Sequence, residues 1–207
     1  MSHTATPDTL LEVQPYVALA LQTPCHAINR APDTATAREW MRNNILRVGQ
    51  QIHASKQFIG PEVRLVVLPE YFASSFPLGD PLPVWAERAA WHPEGSEYAA
   101  VAQMAIKSQV FISGNCYELD AHFPGFYFQT SFIVDDTGKT VLRYRRLISM
   151  FAPTPHDVWD RYLEIYGIEG VFPVAHTVLG RLACIASEEI LFPEIARALA
   201  LRGAEVF

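Results

Sequence analysis

The sequence predicts an α/β fold, and three observations carry that prediction. Short apolar runs of strand length occur at residues 63–68, 109–116 and 182–186. Stretches with apolar residues at helical spacing lie between these runs and after the last of them. Turn-forming residues such as Gly60-Pro61 separate one kind of segment from the other. Alternation of this kind is typical of a β-sheet that is covered by helices, and an ordinary three-layer domain fits it as well as a larger sandwich does.

The first predicted elements are a strand and a long helix. Residues 1–13 are polar and are predicted to form a loose arm. The apolar core of residues 13–22 predicts the first strand. Thr36 with Glu39 three residues later is a capping-box pattern, which predicts a helix that begins there and ends near residue 57. One face of this helix is apolar and is predicted to lie in the core: Met41, Ile45, Val48 and Ile52.

The middle of the chain continues the alternation. The strand that begins after Pro61 ends in Pro69-Glu70, so a carboxylate follows directly on a buried segment. The remaining elements are predicted in chain order: short helical pieces within 79–93, a helix from Ser96, a strand at 109–116, an irregular segment at 118–125, and a hairpin of 126–135 with 140–144. Residues 149–170 are rich in proline and aromatic residues, and no element is predicted there.

The stretch from Arg181 to Glu194 is the centre of the functional prediction. Residues 182–186 form a short apolar run, Ser187-Glu188-Glu189 interrupts it, and Pro193 is suited to the first turn of a following helix. Gly203 predicts the end of that helix. A polar side chain between a buried strand and a helix N-terminus is a common position for nucleophiles and anion sites in α/β proteins. An ordinary turn serine is the alternative interpretation of Ser187.

Three motifs in series resemble those of the nitrilase superfamily of carbon–nitrogen hydrolases. They are the strand that ends in Pro69-Glu70, the pattern Gly-x-x-x-x-x-Tyr-Arg-Arg at residues 138–146, and Ser-Glu-Glu-x-x-Phe-Pro-Glu at residues 187–194. The resemblance runs from about Tyr16 to Phe207 and implies a four-layer α-β-β-α sandwich. It also implies that residues 1–207 form a single domain whose C-terminal part is missing from this chain.

The resemblance implies a role for each matching residue. Glu70 matches the general-base glutamate, Arg146 stands where the family has lysine, and Ser187 stands where the family has its nucleophilic cysteine. Arg146 and the backbone N–H after residue 187 would hold the oxyanion, and Tyr71 and Glu188 would border the substrate. The implied reaction is hydrolysis of an amide or nitrile of a small molecule, with no cofactor and no metal.

The two substitutions weaken the implied chemistry to different degrees. Arginine supplies positive charge but cannot release a proton, so Arg146 is an electrostatic substitute and a poor proton shuttle. A serine hydroxyl is far less acidic than a thiol, so one carboxylate is a weak base for Ser187. A slow hydrolase, a catalytically inactive relative with a binding or assembly role, and a Cys-to-Ser variant of an active enzyme would all have this pattern.

Four other residues are weighed as candidates for the active site. Cys184 lies three residues before Ser187, so in a strand its side chain would face away, and a buried structural thiol is the favoured interpretation. The family often has a second carboxylate after the lysine position, and Asp157 and Glu164 are the candidates, with plain surface charges as the alternative. His122 is predicted to be a surface loop residue.

Composition excludes several classes of function. The net charge is −6 and the basic residues are scattered, which argues against binding to nucleic acid or to an anionic membrane. Three widely spaced cysteines suggest neither a disulfide framework nor a metal site. No charged-then-apolar leader and no apolar stretch near eighteen residues occur, so a cytoplasmic protein is expected. From the family resemblance we also expect a homo-oligomer.

Overall fold

A five-stranded mixed sheet forms the centre of the computed structural model, which describes residues 13–150 and 152–207. Its strands lie side by side in chain order: β1 (Val17–Ala20), β2 (Val63–Val67), β3 (Phe111–Leu119), β4 (Tyr127–Val134) and β5 (Thr140–Arg145). Strands β1, β2 and β3 are parallel to one another, and β4 is antiparallel to both β3 and β5. The carboxyl end of β2, and the loop after it that contains Glu70, therefore lie close to the middle of the sheet.

Helices cover one face of this sheet. They are α1 (Thr34–Ile59), α2 (Leu82–Ala89) and α3 (Ser96–Ser108). The predicted apolar face of α1 is fully buried, and it packs in one cluster with sheet residues such as Val66, Ile112 and Phe132. The predicted start of α1 is wrong by a few residues. Asp33 is the N-cap, and its carboxylate accepts the Thr36 N–H at 2.7 Å.

The opposite face of the sheet carries a second layer of strands and then a last helix. Helix α4 (Trp159–Val171) and the antiparallel hairpin of β6 (Ala175–Thr177) and β7 (Gly180–Leu182) pack against it. Helix α5 (Pro193–Leu201) then packs on the outer side of this layer through Ile195 and Leu199. The order helix, sheet, sheet, helix confirms the predicted four-layer fold.

Three predicted elements differ from those observed. The first strand is limited to β1 and is largely exposed, because it is at the edge of the sheet. The predicted strand 182–186 ends at Leu182, which pairs with Ala175 of β6 and bridges to Val206, since residues 183–186 have no strand neighbour within the described part of the chain. Strand β3 runs on to Leu119, which shortens the predicted irregular segment. Helix α4 was not predicted, and it is kinked at Gly167, where φ is +61°.

Within residues 13–150 and 152–207, no helix combines the length and apolarity that crossing a membrane requires.

Candidate active site

A cavity of about 230 Å³ lies between the large sheet and the segment that follows β7. Asn115 of β3 and Ser131 of β4 line it from the sheet. Cys184 and Ser187 line it from the opposite side, and Glu70 lines it from the loop after β2. Two of the three predicted catalytic residues, Glu70 and Ser187, therefore line one cavity, although 116 residues lie between them in the sequence.

The Glu70 carboxylate is held by two donors. Its Oε1 accepts a hydrogen bond from Gln129 Nε2 at 2.6 Å and one from Arg146 Nη1 at 2.9 Å. The side chain is 29% exposed, so the carboxylate is partly desolvated and still reachable from solvent. A carboxylate with this arrangement can accept a proton from a nearby donor.

Arg146 joins the two sides of the site. Its Nη1 donates to Glu70 and to Gln129 Oε1 at 2.8 Å, so both hydrogens on that nitrogen are used. Its Nη2 forms an ion pair with Glu188. The side chain is 3% exposed, and its Nε has no hydrogen-bond partner among the described residues. Arg146 thus orients two carboxylates and has few donors left for a ligand.

Ser187 begins a short 3₁₀ helix, Ser187–Leu191, and is exposed. Its φ of +53° is a left-handed conformation that residues with a side chain rarely adopt. Backbone strain of this kind is often found at functional sites, where the surrounding structure maintains it. Ser187 therefore lies on a sharp turn at the wall of the cavity.

Glu189 fixes this turn from behind. Its Oε1 accepts hydrogen bonds from the Tyr144 hydroxyl at 2.8 Å and from the backbone N–H groups of Leu147 at 2.7 Å and Ile148 at 3.2 Å. Its Oε2 accepts the Ala186 N–H at 3.2 Å. Burial raises the pKa of the Glu189 carboxyl, which these donors only partly offset. Glu189 therefore ties the residue before Ser187 to the segment after Arg146.

Glu188 forms an ion pair with Arg146 at the edge of the site. Burial raises the pKa of its carboxyl, but hydrogen bonds from its own backbone N–H and from Ser187, together with Arg146, bring that pKa below its usual value. The side chain is 31% exposed. Glu188 lies at Arg146 and is not among the residues that line the cavity.

Tyr71, the other predicted pocket residue, belongs to the core on the helical side. It has φ of +58°, its ring stacks on Tyr117 at 5.7 Å, and it does not line the cavity. Cys184 is a buried thiol as predicted, and burial raises its pKa to about 12. The prediction that it faces away from Ser187 is wrong: both line the cavity, because the chain leaves the strand at Leu182 and alternation ends there.

The two candidates for a second carboxylate lie elsewhere. Asp157 Oδ2 accepts the Thr154 N–H at 2.7 Å and caps a 3₁₀ helix, Pro155–Val158. Glu164 is 67% exposed and pairs with Arg161 at 2.7 Å. Neither residue lines the cavity.

Two residues of the site, Gln129 and Glu189, were not predicted. Gln129 is on the same face of β4 as Ser131, and the alternation of that strand could have indicated this face.

Comparison with known proteins gives one consistent result. Residues 9–207 match the carbon–nitrogen hydrolase family. The chain is similar to the deaminated glutathione amidase of Yersinia enterocolitica, with 29% identity over 171 residues, which are 80% of this chain and 56% of that protein. It is also similar to the formamidase of Helicobacter acinonychis (strain Sheeba), with 24% identity over 196 residues, 94% of this chain and 53% of that protein. The chain thus spans about half the length of the curated relatives it matches.

Solved structures share the fold. A member of branch 10 of the nitrilase superfamily from Saccharomyces cerevisiae superposes with a TM-score of 0.60 at 20% identity, covering 80% of this chain and 56% of that one. An amidase from Nesterenkonia sp. superposes with a TM-score of 0.61 at 13% identity, covering 97% of this chain and 66% of that one.

Proposed function

The chain belongs to the carbon–nitrogen hydrolase family, and from this membership we propose that it slowly hydrolyses the C–N bond of a small-molecule amide or nitrile. The observation that supports the proposal most directly is the meeting of three distant segments. Glu70 and Ser187 line one cavity, and Arg146 contacts Glu70 on one side and Glu188 on the other. The amidase and formamidase activities of similar proteins support the same class of reaction.

In the proposed reaction with an amide, Ser187 is the nucleophile and Glu70 is the base. The Ser187 oxygen attacks the carbonyl carbon while Glu70 takes the hydroxyl proton. Glu70 returns this proton to the leaving nitrogen, the C–N bond breaks, and ammonia departs from an ester on Ser187. Water, deprotonated by Glu70, then attacks the ester, which releases the carboxylic acid and restores the serine.

The contacts at the site suggest why turnover would be slow. A serine hydroxyl gives up its proton less readily than a thiol, and Glu70 Oε1 already accepts two hydrogen bonds. Both Nη1 hydrogens of Arg146 are already used. The developing oxyanion would therefore rely on the remaining N–H of Nη2 and on the backbone N–H of Glu188.

The test is ammonia release from short amides and nitriles, with the Ser187→Cys variant beside the unaltered protein. We expect the thiol to raise the rate by tenfold or more, roughly the lower end of what a better matched nucleophile supplies. Adding Glu70→Gln to the cysteine variant should reduce that rate by about 10²-fold or more, because the base is lost. Glu164→Gln removes an equal charge from the surface and serves as the control. A double variant as fast as Ser187→Cys would refute the assignment of Glu70.

A non-catalytic binding role is the second candidate, and one observation favours it. Two carboxylates, Glu70 and Glu188, form ion pairs with the single guanidinium of Arg146, so this cation is already paired within the protein. Under this alternative no ammonia would be released by the serine or the cysteine form, while small amides would still bind.

A further inference from the structure

Glu188 occupies the position at Arg146 that an anionic group of a ligand would otherwise take. Its Oε2 forms an ion pair with Arg146 Nη2, and the Ser187 hydroxyl and the Glu188 backbone N–H also bond to the carboxylate. In the reaction proposed above, Arg146 Nη2 and the Glu188 backbone N–H hold the oxyanion, and the Ser187 oxygen attacks the carbonyl carbon. The side chain of residue 188 therefore lies beside the reacting centre.

The charges around Arg146 do not balance. Glu70 and Glu188 carry one negative charge each, against the one positive charge of Arg146. Glu189 lies behind the turn and its donors are protein groups, while burial keeps the nearby Cys184 thiol protonated. The cavity thus borders a group with a net charge of about −1, in surroundings where charges a few ångströms apart interact more strongly than in water.

Of the two carboxylates at Arg146, Glu188 is the one whose negative charge the proposed reaction does not need. Glu70 is bound by Gln129 as well as by Arg146, and the proposed reaction needs it. Glu188 does not line the cavity, and the proposed reaction does not need it as base or nucleophile. Removing its charge would leave Glu70 and Arg146 as a neutral pair.

We propose that Glu188 determines substrate selectivity: it excludes amides that carry a carboxylate near the scissile bond and leaves the site to neutral or cationic ones. The inference rests on the proposed function, since it names the class of substrate for that site. It also assigns a physical role to the carboxylate directly after the nucleophile position.

The experiment compares succinamide with succinamate, which differ only in that one amide is replaced by a carboxylate. Ligand-observed NMR titrations at fixed pH 7 and low salt give the two dissociation constants. We expect the unaltered protein to bind succinamide more tightly by about tenfold, a modest value for like charges a few ångströms apart. Glu188→Gln should bring the two constants within about threefold of each other, because the net charge at Arg146 becomes zero.

Two further variants separate the local effect from general ones. Glu164→Gln removes a surface charge and should keep the preference of the unaltered protein, whereas Glu188→Asp keeps the local charge and should keep most of it. Equal binding of both ligands to the unaltered protein, or a preference unchanged in Glu188→Gln, would overturn the proposal, as would a failure of both ligands to bind.

The two proposals can fail separately. A preference for succinamide that depends on Glu188, with no ammonia released by Ser187→Cys, would refute hydrolysis and leave the selectivity standing. Ammonia release by Ser187→Cys with equal binding of the two ligands would refute the selectivity alone.

Discussion

Arg145 and Arg146 are neighbours in the sequence and have opposite surroundings. Arg145 is the last residue of β5 and pairs with Thr130 of β4, while Arg146 donates its backbone N–H to Gln129 at 2.9 Å. Adjacent residues at the end of a strand point to opposite faces of the sheet. Arg146 contacts Glu70 of the cavity wall, and Arg145 contacts a separate group of carboxylates and aromatic rings.

The carboxylates of the Arg145 cluster are buried, although the cluster lines a cavity of about 330 Å³. Arg145 Nη2 pairs with Asp120 and lies 3.6 Å from Glu118, and these carboxylates are 3% and 0% exposed. The guanidinium lies over the rings of Phe128 at 4.7 Å and Tyr166 at 4.8 Å. The carboxylates of Arg146, by contrast, are 29% and 31% exposed. An ion pair whose acids are buried beside aromatic rings stabilises the fold, whereas one whose acids are partly exposed can exchange partners with a ligand.

The largest effect should come from Arg145→Met. The change leaves Asp120 buried without its guanidinium, while Glu118 keeps its ion pair with Arg143, and breaking a buried ion pair in this way costs about 3–5 kcal/mol. Urea unfolding measures the loss in the free energy of unfolding. Arg161→Met is the matched control, because Arg161 is 56% exposed and its pair with Glu164 should contribute less than about 1 kcal/mol. A loss below 1 kcal/mol for Arg145→Met would show that the cluster does not stabilise the fold.

Arg146→Met should have a smaller effect on stability and a larger one on chemistry. Glu70 and Glu188 can rehydrate when the guanidinium is removed, so the expected loss is about 2 kcal/mol, mainly from the hydrogen bond that Arg146 donates to Gln129 Oε1. Ammonia release by Ser187→Cys should disappear when this second change is added. If Arg146→Met destabilised the protein as much as Arg145→Met, the contrast between the two arginines would fail.

Much of the fold could be predicted because it follows local patterns. The buried face of α1 follows from its spacing, the β4–β5 hairpin follows from the turn at 135–138, and Pro193 marks the start of α5. Helix α4 could not be predicted in this way. Its stability depends on aromatic contacts with distant residues, such as Tyr162 with Phe123, and its sequence contains two glycines.

The site was predicted less completely than the fold. The motifs located Glu70, Arg146 and Ser187, and the structure brings their segments together, while their catalytic roles stay a prediction. Gln129 and Glu189 contact them only because strand register and the 3₁₀ turn place them there, and no local pattern encodes such long-range pairing. The opposite directions of Arg145 and Arg146 could be predicted from alternation, but their partners could not.

The smallest effect tests how the Arg145 cluster responds to pH. Burial raises the pKa of Asp120, but the Tyr166 hydroxyl, the His122 N–H and Arg145 lower it below its ordinary value. A carboxyl with a depressed pKa in the folded state adds stability above its unfolded pKa, and this is lost as the pH falls through the folded value. Tyr166→Phe should therefore cost about 1 kcal/mol at pH 7 and progressively less below pH ~4. In Tyr162→Phe, the control, the lost partner is the uncharged Gly170 carbonyl, so its cost should not depend on pH. A cost for Tyr166→Phe that is equal at pH 7 and at pH ~3 would mean that the charge on Asp120 is not what this hydroxyl stabilises.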